Sequence, residues 1–260
     1  MHKRLWSVCA GLCGLATMLV AANPGAAQMQ EIKSKPPLYS YVANWQFPRA
    51  NWGDAGKFIG SVNDIMQKAQ ANGDIVAYGN DVNLVHTLDG ETHDNWWSSM
   101  SLAGLVRVLN QIHASGDAAS PALNAAKHWD EVWVSRYYNW KPGATMKDGY
   151  THVAVYKLKA DAPDDAINML AQHMVTPVLE KLLADGTIVE YEIDTMAIHT
   201  SAPGTFIIVY LTPTPEGLDT VQGAVRDAMR ASPLAGDAFG SFVDDSGHRD
   251  GLYKTDCNYK

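Results

Sequence analysis

The chain has 260 residues, 47% of them hydrophobic and 18% charged, the composition of a globular protein able to bury a core. Its 20 lysines and arginines stand against 28 aspartates and glutamates, a formal charge of −8. That balance excludes nucleic acid and anionic lipid as expected partners, because both are held by basic side chains.

In chain order the first element is a processing signal. His2, Lys3 and Arg4 make a positive start, an apolar run follows over 5–22, Asn23-Pro24-Gly25 break it, and Ala26-Ala27 offer the small residues a signal peptidase needs. Segment 1–27 is therefore expected to be a signal peptide, followed by a linker over 28–37, and the mature protein to be periplasmic or secreted. The competing reading is a membrane anchor, since the run approaches the roughly 20 residues that span a bilayer. Its many Gly and Ala residues favour removal, and no later stretch is apolar enough to span, so no membrane contact is expected after cleavage. Cleavage would take Cys9 and Cys13 with it and leave Cys257, which cannot close an internal disulfide.

The mature chain then reads as one pattern written twice. A strand rich in β-branched and aromatic residues is expected over 38–47 and again over 150–158. Helices follow over 55–71 and 163–184, the second opened by Pro163-Asp164-Asp165. Both close on Asn72-Gly73 or Asp185-Gly186, residue types that tolerate a left-handed cap. Second strands run from Ile75 and Ile188 to His86-Thr87 and His199-Thr200. Short third strands over 95–99 and 205–211, helices over 101–114 and 215–231, and last strands over 132–140 and 252–259 complete each copy. A loop follows each second helix, and 141–149 joins the copies. Shifting the chain by 113 superposes 72–87 on 185–200, with seven identities in sixteen positions: Gly73, Ile75, Val76, Tyr78, Asp81, His86 and Thr87 recur. Chance gives roughly 6% identity. Strand–helix–strand–strand–helix–strand is the ferredoxin-like unit, whose sheet leaves one face uncovered by helices. Two such sheets packed face to face give an α+β barrel, a pseudo-dimer within one chain, with repeats over 38–143 and 149–260.

The opening of the second repeat, Gly149-Tyr-Thr-His-Val-Ala-Val-Tyr-Lys-Leu-Lys159, resembles the first strand of the dimeric α/β barrel superfamily, especially its stress-responsive branch. His152, Ala154, Tyr156 and Lys157 carry the resemblance. It implies the barrel fold and a cavity at the barrel centre. It implies no single chemistry, because relatives include oxygenases, cyclases, haem-binding enzymes and proteins of no known activity. The first repeat departs from the motif, with Tyr41 and Trp45 at the places of His152 and Tyr156.

Strand alternation puts His152, Ala154 and Tyr156 on one face and Val153 and Val155 on the other. The apolar pair suits the helix side, so His152 and Tyr156 are expected in the barrel interior, with Tyr41 and Trp45 as the opposite wall. A histidine beside a tyrosine in a closed cavity can act as an acid/base pair; the plainer reading is a buried, hydrogen-bonded histidine. His86 and His199 recur at equivalent strand ends and are carried as ligand-side candidates with Trp96, although a repeated His-Thr pair also serves simply to anchor a loop. No close histidine spacing points to a metal. Glu190, Glu192 and Asp194 share a face of the second strand, and an acidic row on an edge strand is expected to meet water. His173 lies where haem-binding relatives carry an axial ligand, so the resemblance keeps haem as an alternative, although no cofactor motif is present. Seven tryptophans fall in the first repeat; Trp133 and Trp140, an odd number apart, are expected on opposite faces. The expected function is binding, with or without conversion, of a small aromatic or apolar molecule in the barrel cavity. The alternatives are a haem-binding periplasmic protein and a non-catalytic protein with a filled barrel.

Overall fold

The computed structural model describes residues 33–116 and 120–260. The expected signal peptide lies outside them. The first repeat contains β1 (Leu38–Gln46), α1 (Trp52–Ile59), α2 (Asn63–Asn72), β2 (Ala77–Asn83), β3 (His93–Ser99), α3 (Leu102–Ser115), α4 (Pro121–Ala125) and β4 (Lys127–Trp140). The second contains β5 (Thr145–Lys157), α5 (Ala166–Leu170), α6 (Thr176–Asp185), β6 (Glu190–Ile198), β7 (Thr205–Thr212), α7 (Pro215–Ala231), α8 (Pro233–Phe242) and β8 (Arg249–Tyr259). Among the described residues no helix is long and apolar enough to cross a membrane.

All eight strands join one closed antiparallel barrel in the order β1-β3-β2-β8-β5-β7-β6-β4. Each repeat supplies four consecutive staves, and β2 with β8 and β6 with β4 seal the two sheets edge to edge. Closure leaves neither repeat an unpaired edge. Helices cover the outside of each sheet. Tyr41, Met66, Ile75, Trp97, Leu105 and Val108 form the core beneath α2 and α3. Leu179, Leu182, Ile188, Tyr191, Tyr210 and Val221 form its counterpart beneath α6 and α7. Inside the barrel, Trp96, Met146, Leu211, Cys257 and Tyr259 pack together and plug one end.

The shift of 113 reaches into local geometry. Ser101 and Thr214 cap α3 and α7 by accepting from the backbone N–H of Gly104 and Gly217. The hydroxyls of Ser99 and Thr212 donate to the carbonyls of Asp74 (2.6 Å) and Thr187 (2.7 Å). Gly73 and Gly186 end α2 and α6 at φ of 83° and 90°, a conformation in which a Cβ is strained. These matched contacts tie the strand end, turn and helix start together in both copies.

Several expected elements are altered. The helix expected over 55–71 starts at Trp52 and tightens into a 3-10 turn at Gly60–Val62. The helix expected over 163–184 passes through a π turn at Ala171–Val175. Pro177, which has no N–H to give the carbonyl of His173, follows that turn after Thr176. The loops after the second helices contain α4 and α8, and β5 begins at Thr145, leaving 141–144 as the connection. Trp133 and Trp140 both turn inward, because a register shift between Ser135 and Tyr137 reverses the alternation of β4.

Candidate functional site

Among the described residues the architecture leaves a cavity beneath the helices of each repeat and another inside the barrel. The largest, about 750 Å³, lies in the second repeat between β5 and β7 and the helices α6, α7 and α8. His152, Ala154 and Tyr156 form part of its floor. The barrel interior is lined instead by Thr151, Val153 and Val155, and in the first repeat by Ser40, Val42 and Asn44. The expected faces of β1 and β5 are therefore reversed: His152, Tyr156, Tyr41 and Trp45 all look outward to the helices. The reason is packing. Val153 and Val155 join Trp133, Met196 and Ile207 on an apolar barrel wall, while on the helix side Tyr41 stacks on Trp97 and Tyr156 on Phe206 and His248.

Asp250, on β8, organises the second-repeat pocket. One carboxylate oxygen lies 3.5 Å from Nε2 of His152 and the other 3.4 Å from Nε2 of His248. Nδ1 of His248 donates to the carbonyl of Val155 at 3.0 Å, and its ring stacks on Tyr156 with centroids 4.4 Å apart. His152 stacks on Tyr210 at 5.0 Å. Nδ1 of His152 and the hydroxyl of Tyr210 are both buried without a hydrogen-bond partner. Burial lowers the pKa of His152, opposed by the attraction of Asp250 and reinforced by His248. Burial raises the Tyr156 phenol to about 12, with Asp250 and Asp245 adding to it. The result is an imidazole favoured in its neutral, proton-accepting form beside apolar walls formed by Val175, Val178, Val221 and Phe239.

The first repeat carries the same arrangement around a cavity of about 380 Å³. His128 and Asp130 on β4 pair across to Trp45 and Ala43, as His248 and Asp250 flank Tyr156 and Ala154. His128 stacks on Trp45 at 3.8 Å, its Nδ1 donates to the carbonyl of Asn44 at 3.0 Å, and its Nε2 lies 3.1 Å from Asp130. Tyr41, stacked on Trp97, occupies the place of His152. The first copy thus keeps the His-Asp-aromatic frame and lacks the second imidazole.

Sequence reasoning missed His248, Asp250 and Tyr210. A signal existed: His128-Trp-Asp130 and His248-Arg-Asp250 repeat the same His-x-Asp pattern, but at a shift of 120. His86 and His199 are exposed and line none of the three cavities; His86 stacks on Trp52 at 4.4 Å. Trp96 lines the barrel chamber, apart from His152 and Tyr156. His173, presented by the π turn, lines the second-repeat pocket.

The barrel chamber, about 420 Å³, holds a second correction. Glu190 is 1% exposed, Asp194 2% and Glu192 6%. The acidic row expected in water points inward, because β6 is flanked by β4 and β7 and has no free edge. Asp81, Asp94 and Glu131 line the same space.

No family model matches the chain, and no curated protein matches it in sequence. Solved structures do match in fold. A candidate monooxygenase from Fusobacterium nucleatum superposes with a TM-score of 0.62 at 7% identity, over 87% of this chain and 95% of that one. A candidate chlorite dismutase gives 0.50 at 11% identity, over 84% and 94%. A mutant chlorite dismutase from Candidatus Nitrospira defluvii gives 0.50 at 13% identity, over 86% and 93%. At these identities the likeness is one of fold: the chain is a ferredoxin-like α+β barrel of the kind seen in these structures.

Proposed function

We propose that the chain is an exported protein that binds a small aromatic or apolar molecule in the sheet–helix pocket of its second repeat, with His152 as the proton-accepting group. The observation that carries this reading is the pair of unpartnered polar atoms, His152 Nδ1 and Tyr210 OH, at the floor of a largely apolar cavity. Buried polar groups are normally paired, so a ligand polar group that completes them gains more than it would elsewhere on the surface. Asp250 orients the His152 ring through Nε2, leaving Nδ1 to accept a proton from an acidic O–H or C–H; such contacts tighten as a ligand arrives. Tyr156, its phenol held protonated, remains a donor.

With 1-naphthol as probe, His152→Ala is expected to weaken binding at least tenfold, the scale of one lost buried hydrogen bond at about 1.4 kcal/mol. Asp250→Asn removes the charge that favours the imidazolium, so the His152 titration seen by NMR should move to lower pH. An unchanged naphthol affinity in a folded His152→Ala variant contradicts the reading. Export is tested separately: the periplasmic fraction should yield a chain lacking 1–27.

Haem is the second reading, favoured by the placement of His173 on the wall of this same pocket. The residues fit the group: His173 supplies an imidazole ligand, Arg226 and Arg230 on α7 supply partners for its carboxylates, and the apolar walls suit a flat macrocycle. Bound haem would supply iron redox chemistry. A Soret band that forms with hemin and is lost in His173→Ala would support this reading, and one unaffected by His173→Ala would sink it.

A further inference from the structure

The barrel chamber lies on the opposite face of the sheet from the pocket above, shares Asp250 with it, and has a different chemistry. Nine acidic side chains line it: Asp89, Glu91 and Asp250, of which Asp89 and Asp250 are exposed, and six that burial shifts, Asp81, Asp94, Glu131, Glu190, Glu192 and Asp194. Arg249, exposed at the mouth, is the one cationic side chain lining it among the described residues. Asp81, Asp94, Glu190 and Asp194 are each more than nine-tenths buried and each leave a carboxyl oxygen without a partner. Glu190 leaves both.

Placement identifies the partner. Glu190, Glu192 and Asp194 alternate along β6, so the row extends about 13 Å at the usual strand rise. Asp81 faces Asp94 directly across the β2–β3 pair. The carboxyls are strung along the barrel instead of converging; no three His, Cys, Asp or Glu side chains among the described residues come together as a metal set. Between them lie hydrocarbon and aromatic walls from Val42, Val153, Val209, Trp96 and Trp133. One end is plugged by Trp96, Met146, Leu211 and Tyr259. The other opens beside Glu91 and Gly251.

We infer that the barrel chamber is a binding site for a linear aliphatic polyamine. Separated ammonium groups would meet the carboxylates in turn, and the methylenes between them would lie on the apolar wall. Trp96 and Trp133, which line the same chamber, supply aromatic rings for the same cations. A compact divalent metal could engage only part of the row, and a monoamine only one carboxylate. Burial already raises all six carboxyls, so the arriving cation takes the place of protons held there.

Isothermal titration of the mature protein with spermidine at pH 7.5 and 0.15 M salt tests this. The expected result is a single saturable site, at least tenfold tighter than n-butylamine or magnesium. Glu190→Gln with Asp194→Asn should weaken it at least tenfold, and circular dichroism checks the fold of that variant. Asp194→Asn alone provides the comparison if the double variant does not fold. Asp219→Asn with Asp227→Asn removes the same charge from the exposed face of α7 and should leave affinity unchanged. No saturable binding, equal competition by magnesium, or equal loss in the α7 variant overturns the inference.

Discussion

The melting temperature should fall by about 10 °C between pH 6 and pH 8, against the usual expectation of a broad neutral plateau. The cause is the barrel chamber. Burial raises Asp81 and Glu192 to about 7 and holds Asp94, Glu190 and Asp194 well above the ordinary carboxylate range. An acid whose pKa is higher in the folded state binds protons that the unfolded chain has released. Its contribution is complete below the unfolded value, near 4, and is lost as pH rises through the folded value. Each such proton is worth about 1.4 kcal/mol per pH unit. One or two of them over two units give ~3–6 kcal/mol, and each kcal/mol moves the melting temperature of a domain this size by about 2–4 °C. His93, pushed down to about 4 by burial and His86, works the other way, and its effect is confined to the acid side of pH 6.5. Glu192→Gln with Asp194→Asn should flatten the curve. A wild-type melting temperature that is level or rising from pH 6 to pH 8 would show that the chamber is ionised throughout.

Gly104→Ala should cost about 3 kcal/mol and lower the melting temperature by ~6–12 °C. A Cβ at Gly104 would run into both the Ser99 hydroxyl and the Asp74 carbonyl, and the carbonyl belongs to backbone that the turn holds fixed. Gly217→Ala meets the Thr212 hydroxyl and comes 3.2 Å from the Thr187 carbonyl. There the threonine can rotate away at the cost of its hydrogen bond, so the loss should be smaller, about 2 kcal/mol. Gly56→Ala in α1, where a Cβ meets nothing within 4 Å, should instead stabilise by about 0.5–1 kcal/mol. Thermal melts of the three variants check the order. Equal effects at Gly104 and Gly56 would mean that the clamp does not tie strand end, turn and helix start together within a repeat.

Element order and duplication were legible because each rests on local chemistry. Alternating β-branched strands, Asn-Gly and Asp-Gly helix ends, and proline at helix starts all act within a few residues. The clamp of Ser99, Gly104 and Asp74 keeps the shift of 113 for the same reason. Which face of β5 looks inward was not legible. Val153 and Val155 suit a helix-covered face and a barrel wall equally, and ring closure decides between them. The Glu190 row shows the same dependence: β6 is an edge within its own repeat, and only pairing with β4 of the other repeat turns its acids into the core. His248 and Asp250 escaped notice because the segment between α7 and β8 is longer than its counterpart, which moves the repeated His-x-Asp out of the register that revealed the rest.

The most direct test of where this protein holds its ligand is a pair of cavity-filling variants titrated with 1-naphthol. Val178→Trp fills the second-repeat pocket beneath α6, and Val153→Trp fills the barrel chamber on the opposite face of the same sheet. A ligand held in the second-repeat pocket requires that Val178→Trp abolish naphthol binding while Val153→Trp retains it within about threefold. Loss of binding in Val153→Trp with full binding in Val178→Trp would contradict it and return the site to the centre of the barrel.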